Sequence, residues 1–148
     1  MTEREQLISH MDALVDTYHG GTTDINNLLI LRRDLAVTLY RLTAFVRTVH
    51  GTAGLTYARR KWAVAREIVE AQNADAKMAT GKAEYRAETL ASVKEAKEAE
   101  VWAEADKEAL RSKMDAAKQV LQAMSQEIAF EAFEKKTTHF QEANAGAK

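Results

Sequence analysis

The chain has 148 residues, no cysteine and no proline, and its formal net charge is −1. This length suits a single domain, the lack of cysteine excludes disulfides and thiolate metal sites, and near neutrality offers no whole-molecule argument for nucleic acid or membrane. The acidic N-terminus and the lack of an apolar run of about 18 residues predict a cytoplasmic protein that does not enter a membrane.

The first predicted helix runs from about Thr2 to Tyr18. Its apolar residues recur at helical spacing: Leu7, Met11, Leu14, Val15 and Tyr18. The segment His19-Gly20-Gly21 is expected to end this helix. Thr22, Thr23 and Asp24 offer side-chain oxygens that would cap the next one.

The second predicted helix ends near His50 and has the strongest apolar face of the N-terminal half. That face comprises Leu28, Leu31, Leu35, Leu39, Leu42, Val46 and Val49. Gly51 and Gly54 follow, and glycine tolerates the positive φ of a turn. We therefore expect a break between residues 51 and 54.

A third helix is predicted from Leu55 to Met78. We expect it to bury a line of apolar residues, Ala58, Trp62, Ala65 and Val69. Thr80-Gly81 then predicts a bend, after which a long helix should continue to about Glu142, followed by a frayed tail at residues 143–148. Trp102 on this long helix is expected to pack at a subunit or hairpin contact.

The long helix contains a heptad seam with spacings of 4, 3, 4, 3 and 4. Its residues are Leu110, Met114, Ala117, Leu121, Met124 and Ile128. Such a seam is typical of coiled coils and predicts homo-oligomerisation. The predicted fold is all-α and oligomeric, with helical hairpins and a long C-terminal coiled-coil-like helix. We expect one domain, 1–148, composed of an N-terminal hairpin (1–50) and the basic helix plus the long helix (55–142).

No set of residues predicts catalysis, a metal or a cofactor. The four histidines, His10, His19, His50 and His139, lack the spacing of paired ligands. The carboxylates between Glu84 and Glu108 are interleaved with lysines, which is typical of a solvated helix surface. The serines lack a partner histidine in a recognisable motif. We therefore expect a protein that is not an enzyme.

Charge is unevenly distributed along the chain. Residues 55–94 contain eight bases and five acids, whereas the segments on either side have more acids than bases. Within the middle segment, the candidate DNA-binding residues are Arg59, Arg60, Lys61, Arg66, Lys77, Lys82 and Arg86. They could follow a phosphodiester backbone, and repetition in an oligomer would strengthen binding. The alternative is an ordinary solvated helix face.

The segment from residue 55 to residue 133 resembles the UvsY family, small helical recombination mediators of tailed phages. The resemblance lies in the Ala-rich basic helix Ala58-Arg59-Arg60-Lys61-Trp62-Ala63-Val64-Ala65-Arg66, the bend that follows it, and the tetrapeptide Ala129-Phe130-Glu131-Ala132. It implies single-stranded DNA as ligand, contacted by Lys61 and Arg66. It also implies a ring-shaped oligomer in the host cytoplasm, with a RecA-type recombinase and single-strand-binding protein as partners.

Two other classes of function remain open. One is a protein-interaction module, such as a phage inhibitor or adaptor of a host protein, for which exposed apolar heptad positions would be the distinguishing sign. The other is a structural component of a virion or of its assembly.

Overall fold

The computed structural model describes residues 1–21 and 24–145, with side chains as far as residue 138. Within these residues the chain forms four helices and no strand: α1 (Glu3–His19), α2 (Ile25–Ala74), α3 (Thr80–Thr89) and α4 (Ala91–Ala145). The predicted all-α class and the long C-terminal helix are confirmed. No helix of the described residues is long and apolar enough to cross a membrane.

α1 has caps at both ends. Thr2 Oγ1 accepts a hydrogen bond from the Glu5 N–H at 3.3 Å, and the Thr2 N–H donates to Glu5 Oε2 at 2.7 Å. This capping box satisfies two backbone donors of the first turn. Gly20 closes the other end, and Gly21 follows with a φ of 88°. The predicted cap residues Thr22 and Thr23 lie outside the described residues.

The predicted break at residues 51–54 is wrong, since α2 is one helix of 50 residues. Neither Gly51 nor Gly54 has a positive φ, and a Cβ added to either would meet nothing within 4 Å. The buried face also keeps its heptad spacing across the glycines, from Leu42 through Val49 to Ala53. Packing therefore continues along the same side of the helix, and both glycines lie within the continuous helix.

The chain bends earlier than predicted, because α2 ends at Ala74 and Thr80 and Gly81 are already the first residues of α3. A second break, at Leu90, contradicts the expected continuous helix. Leu90 is extended, and its N–H donates to the Ala87 carbonyl at 3.1 Å. In a continuous helix Val93 would lie about 240° around the axis from Ala87. The break at Leu90 allows both Ala87 and Val93 to be buried.

The chain divides into two compact units. Unit 1 comprises Met1–Phe45 and Ser112–Lys148, and unit 2 comprises Val46–Arg111. Within unit 1, α1 and α2 form an antiparallel hairpin. At its open end the Arg41 Nη2 atom lies 3.0 Å from Glu3 Oε1. Arg32 and Ser125 join α2 to α4 of the same unit, with a distance of 2.8 Å between Nε and Oγ.

The two cores differ in their side chains. Unit 1 buries mainly leucine and methionine: Leu7, Met11, Leu28, Leu31, Leu35, Leu39, Leu42, Met114, Ala117, Val120 and Met124. Unit 2 buries smaller residues: Val49, Ala53, Ala83, Ala87, Val93 and Leu110. The first core therefore removes more apolar surface per residue from water than the second.

The heptad seam of α4 is covered within a single chain. Leu110, Met114, Ala117 and Met124 are buried, while Leu121 and Ile128 are half-buried. A seam that its own chain covers does not by itself require a second copy. Oligomerisation stays a prediction.

Candidate nucleic-acid interface

The second half of α2 has two contrasting sides. Ala53 is buried, and Thr56, Arg60, Glu67 and Ala71 are half-buried, so these residues define the inner side. The exposed residues with apolar side chains lie about 180° away around the helix axis. We call this set the outer face of α2: Leu55, Ala58, Trp62, Ala65 and Val69.

The prediction that Ala58, Trp62, Ala65 and Val69 are buried is therefore wrong. The inner side keeps the heptad phase of Leu42 and Val49. In that phase the apolar line beginning at Leu55 points away from α4. The sequence contains two stripes with coiled-coil spacing, and the one that contains Trp62 is the exposed one.

The four bases predicted to form one patch are divided between the two sides. Arg60 lies on the inner side, where its guanidinium forms an ion pair with Glu100 of α4. Arg66 is more exposed, yet its Nη2 lies 2.8 Å from Glu67 Oε1 and its Nε lies 3.6 Å from Glu70 Oε1. The hydrogen bond to Glu67 and the charge of that carboxylate raise the pKa of Arg66.

Arg59 and Lys61 are the two bases of this cluster that remain available. Both are exposed, and neither has an ion-pair partner among the described residues. By helical geometry they border the outer face of α2 on opposite edges, with Arg66 near Arg59. The outer face is thus apolar along its centre and basic along both edges.

Two aromatic rings stand beside these cations. Trp62 is 66% exposed, and the Arg66 Cζ atom lies 5.4 Å from its ring centroid. Tyr57 has the Arg60 Cζ at 5.6 Å and the Lys61 Nζ at 5.7 Å from its ring centroid. Cation–π contacts of this kind position a ring for stacking, and exposed aromatic rings among bases are typical of surfaces that bind single strands.

The three remaining candidate bases lie beyond the end of α2. Lys77 is in the connection to α3, where its N–H donates to Asp75 Oδ1 at 3.1 Å. Lys82 is exposed in the first turn of α3. Arg86 lines a cleft of about 210 Å³ together with Glu67 and Glu70, so two carboxylates share its surroundings.

The described residues contain no group of three or more histidine, aspartate or glutamate side chains placed to hold a metal ion. His10, His19 and His50 are exposed. The side chain of His139 lies outside the described part of the chain.

Comparison with known protein families, with characterised proteins and with solved structures finds no match to this chain.

Proposed function

We propose that the chain is a non-enzymatic accessory protein that binds single-stranded DNA through the outer face of α2. One observation carries the proposal: Trp62 is largely exposed, with the Arg66 Cζ atom 5.4 Å from its ring centroid and with Arg59 and Lys61 on either edge of the same face. A base that stacks on Trp62 would place its phosphates within reach of these cations.

The chemistry of this face predicts little sequence preference. Stacking on an aromatic ring accepts any base, and lysine or arginine contacts to phosphate carry no sequence information. Each neutralised phosphate releases counterions, so affinity should fall steeply as salt rises. Duplex DNA keeps its bases stacked inside the helix and should bind more weakly.

The resemblance to the UvsY family supports a role in phage recombination or replication. Under that proposal the protein is a homo-oligomer in the host cytoplasm, and its protein partners are a RecA-type recombinase and a single-strand-binding protein. The basic edges repeated in an oligomer would add avidity for a long strand.

The test is fluorescence anisotropy of a labelled single-stranded oligonucleotide, at low and at near-physiological salt, with duplex as comparison. We expect Trp62→Ala to weaken binding by about tenfold, since one base–aromatic stack contributes about 1–3 kcal/mol. The double substitution Arg59→Gln with Lys61→Gln should weaken binding and reduce the salt slope by about 1.4, since each phosphate contact to a single strand contributes about 0.7.

Lys136→Gln is the matched control, because it removes one exposed positive charge from α4 and lies outside the outer face of α2. It should leave affinity nearly unchanged. Equal losses for Lys136→Gln and Lys61→Gln would mean that only net charge matters. No binding by the unaltered protein at low salt would overturn the proposal.

A second candidate function is a protein-interaction module. The observation that favours it is the spacing of the outer face of α2, since Leu55, Ala58, Trp62, Ala65 and Val69 recur at intervals of 3, 4, 3 and 4. Exposed residues at these intervals can receive a partner helix. Absence of DNA binding, together with a defined stoichiometric complex with one protein partner, would favour this function over the first.

A further inference from the structure

Unit 2 has a second exposed apolar face, on α4. Trp102 is 74% exposed, and Val101, Ala105 and Ala109 are also exposed. The inner side of this part of α4 is marked by the buried Val93 and Leu110 and lies roughly opposite, about 170° around the helix axis. We call the exposed set the outer face of α4: Val101, Trp102, Ala105 and Ala109.

The outer face of α4 is acidic where the outer face of α2 is basic. Glu98 and Glu108 are exposed at its border and have no ion-pair partner among the described residues. No base occurs in the sequence between Lys97 and Lys107. The outer face of α2 has instead Arg59 and Lys61 on its two edges. The two faces are therefore complementary in charge.

The two faces also match in shape. Each has a single tryptophan with alanines on the same side of the helix: Ala58 and Ala65 lie one turn before and after Trp62, and Ala105 and Ala109 lie one and two turns after Trp102. An exposed tryptophan of one face can lie over the alanines of the other. Small residues let two helices approach closely, and tryptophan and arginine often dominate the energy of small interfaces.

Pairing of two α2 faces is disfavoured by the same charges. Arg59, Lys61 and Arg66 are the basic residues that flank this stripe, and a second copy of the same face would bring like charges together. The acidic face of α4 is the complementary surface that this chain offers. The occupant that the charges select is thus the α4 face of another molecule.

We propose that the outer face of α4 in one copy of the chain packs on the outer face of α2 in a second copy. Such a contact is heterologous, so a pair of copies keeps one unused α2 face and one unused α4 face, and further copies can add. The contact would cover Trp62. If the proposed function holds, single-stranded DNA competes with self-association for the outer face of α2. This expectation alone rests on the proposed function.

The test uses two complementary double variants and sedimentation velocity without DNA. The α2-face variant is Arg59→Glu with Lys61→Glu, and the α4-face variant is Glu98→Lys with Glu108→Lys. We expect the unaltered protein to associate progressively between about 1 µM and about 1 mM, the range typical of small interfaces. Each variant alone should remain monomeric, because one of its two faces is reversed.

Mixing the two variants gives the decisive result. The α2-face variant keeps a native α4 face, and the α4-face variant keeps a native α2 face, so these two faces should pair. The two reversed faces are again opposite in charge, so the equimolar mixture should associate at concentrations where neither variant associates alone. Lys135→Glu with Lys136→Glu makes the same charge change at exposed residues elsewhere, and this control should associate like the unaltered protein. Circular dichroism checks that each variant is folded.

Three results would overturn the inference: a monomeric unaltered protein at every concentration, association of the α4-face variant on its own, or failure of two folded variants to pair. Should a reversed variant not fold, Trp62→Ala and Trp102→Ala take its place, and both should abolish association. Association that is unaffected by either substitution would also refute the contact. Self-association without any DNA binding would refute the proposed function and leave this contact supported.

Discussion

The ion pair between Arg60 and Glu100 joins α2 to α4 inside unit 2. Only 25% of the Arg60 side chain and 23% of the Glu100 side chain are exposed. Removing one partner of such a pair leaves the other charge partly covered by protein with nothing to neutralise it. The pair therefore belongs to the packing of unit 2, and Arg60 is the basic residue of the cluster least suited to contact DNA.

Replacing either partner of this pair should lower the free energy of unfolding. We expect a loss of about 1–2 kcal/mol for Arg60→Ala and for Glu100→Ala, and the double variant should lose less than the sum because the partners interact. Urea denaturation of the unaltered protein, the two single variants and the double variant measures these changes in the free energy of unfolding. Arg33→Ala is the control, since Arg33 is mostly exposed in its pair with Asp34 and should change stability little. Strictly additive losses would contradict the coupling.

Tyr18 provides a pH test within unit 1. Its hydroxyl donates to Glu127 Oε1 at 2.7 Å, and this hydrogen bond, burial and the Glu127 charge raise the pKa of Tyr18. The raised pKa favours the protonated tyrosine in the folded chain. The contribution to stability is fully present below the unfolded-state pKa of about 10 and is lost as pH rises through the folded-state value.

We therefore expect the stability difference between the unaltered protein and Tyr18→Phe to be constant from about pH 7 to about pH 9 and to shrink above about pH 10. Denaturation of both proteins across this range measures it. Tyr40→Phe is the control, because Tyr40 is 78% exposed. A difference that grows with pH would contradict the hydrogen bond.

At the scale of the elements, the length of α2 is the feature with the clearest test. Gly51 and Gly54 lie in its interior, where glycine costs conformational entropy relative to alanine and where a Cβ has room. Gly21 is different, because its φ of 88° is one that side chains disfavour.

Alanine should therefore act in opposite directions at these glycines. Gly51→Ala and Gly54→Ala should each raise the free energy of unfolding by about 0.5–1 kcal/mol, whereas Gly21→Ala should lower it by about 1 kcal/mol. Thermal denaturation followed by circular dichroism measures the three changes. Destabilisation at residues 51 and 54 would indicate a turn there instead of a continuous helix.

At the scale of the whole molecule, the two units should differ in stability. Unit 1 is held by large side chains such as Leu35 and Leu42, which are fully buried, while the buried residues of unit 2 are mostly alanine and valine. Burial of apolar area is the main favourable term in folding. Unit 2 should therefore open more readily than unit 1.

Hydrogen exchange followed by mass spectrometry measures this difference. We expect amides of residues 46–74 in α2 to exchange faster than those of residues 28–45 of the same helix. Leu35→Ala, which should cost about 2–5 kcal/mol, should remove the protection of unit 1. Uniform protection along α2 would contradict the difference between the units.

Several elements could be predicted from the sequence because their signals are local. The start of α1 near Thr2, the Gly20-Gly21 ending and the leucine face from Leu28 to Val49 each follow from the spacing of neighbouring residues in the chain. The side of α2 that faces inward after Val49 could not be predicted in this way. Two stripes there have equally regular spacing. Which of them is buried depends on the side of α2 that the leucine face occupies in the first half of the helix.

The candidate site shows the same dependence on phase. The sequence placed Arg59, Arg60, Lys61 and Arg66 close together, yet residues one apart lie about 100° apart on a helix. Glu100, which pairs with Arg60, is 40 residues distant in the chain. The exposure of Trp62 could have been found by continuing the leucine face through Gly51 and asking which residues remain on the opposite side.

The arrangement of the two units also has a consequence for the order of folding. Unit 2 is a continuous stretch, whereas unit 1 joins the first 45 residues to those after residue 111. Contacts such as that between Tyr18 and Glu127 span 109 residues. During synthesis unit 2 can form while the ribosome is still adding the second half of α4, but the contacts between α1 and α4 must wait for residues after 111. The more weakly packed unit is thus the one that can assemble first, and the leucine-rich unit closes last.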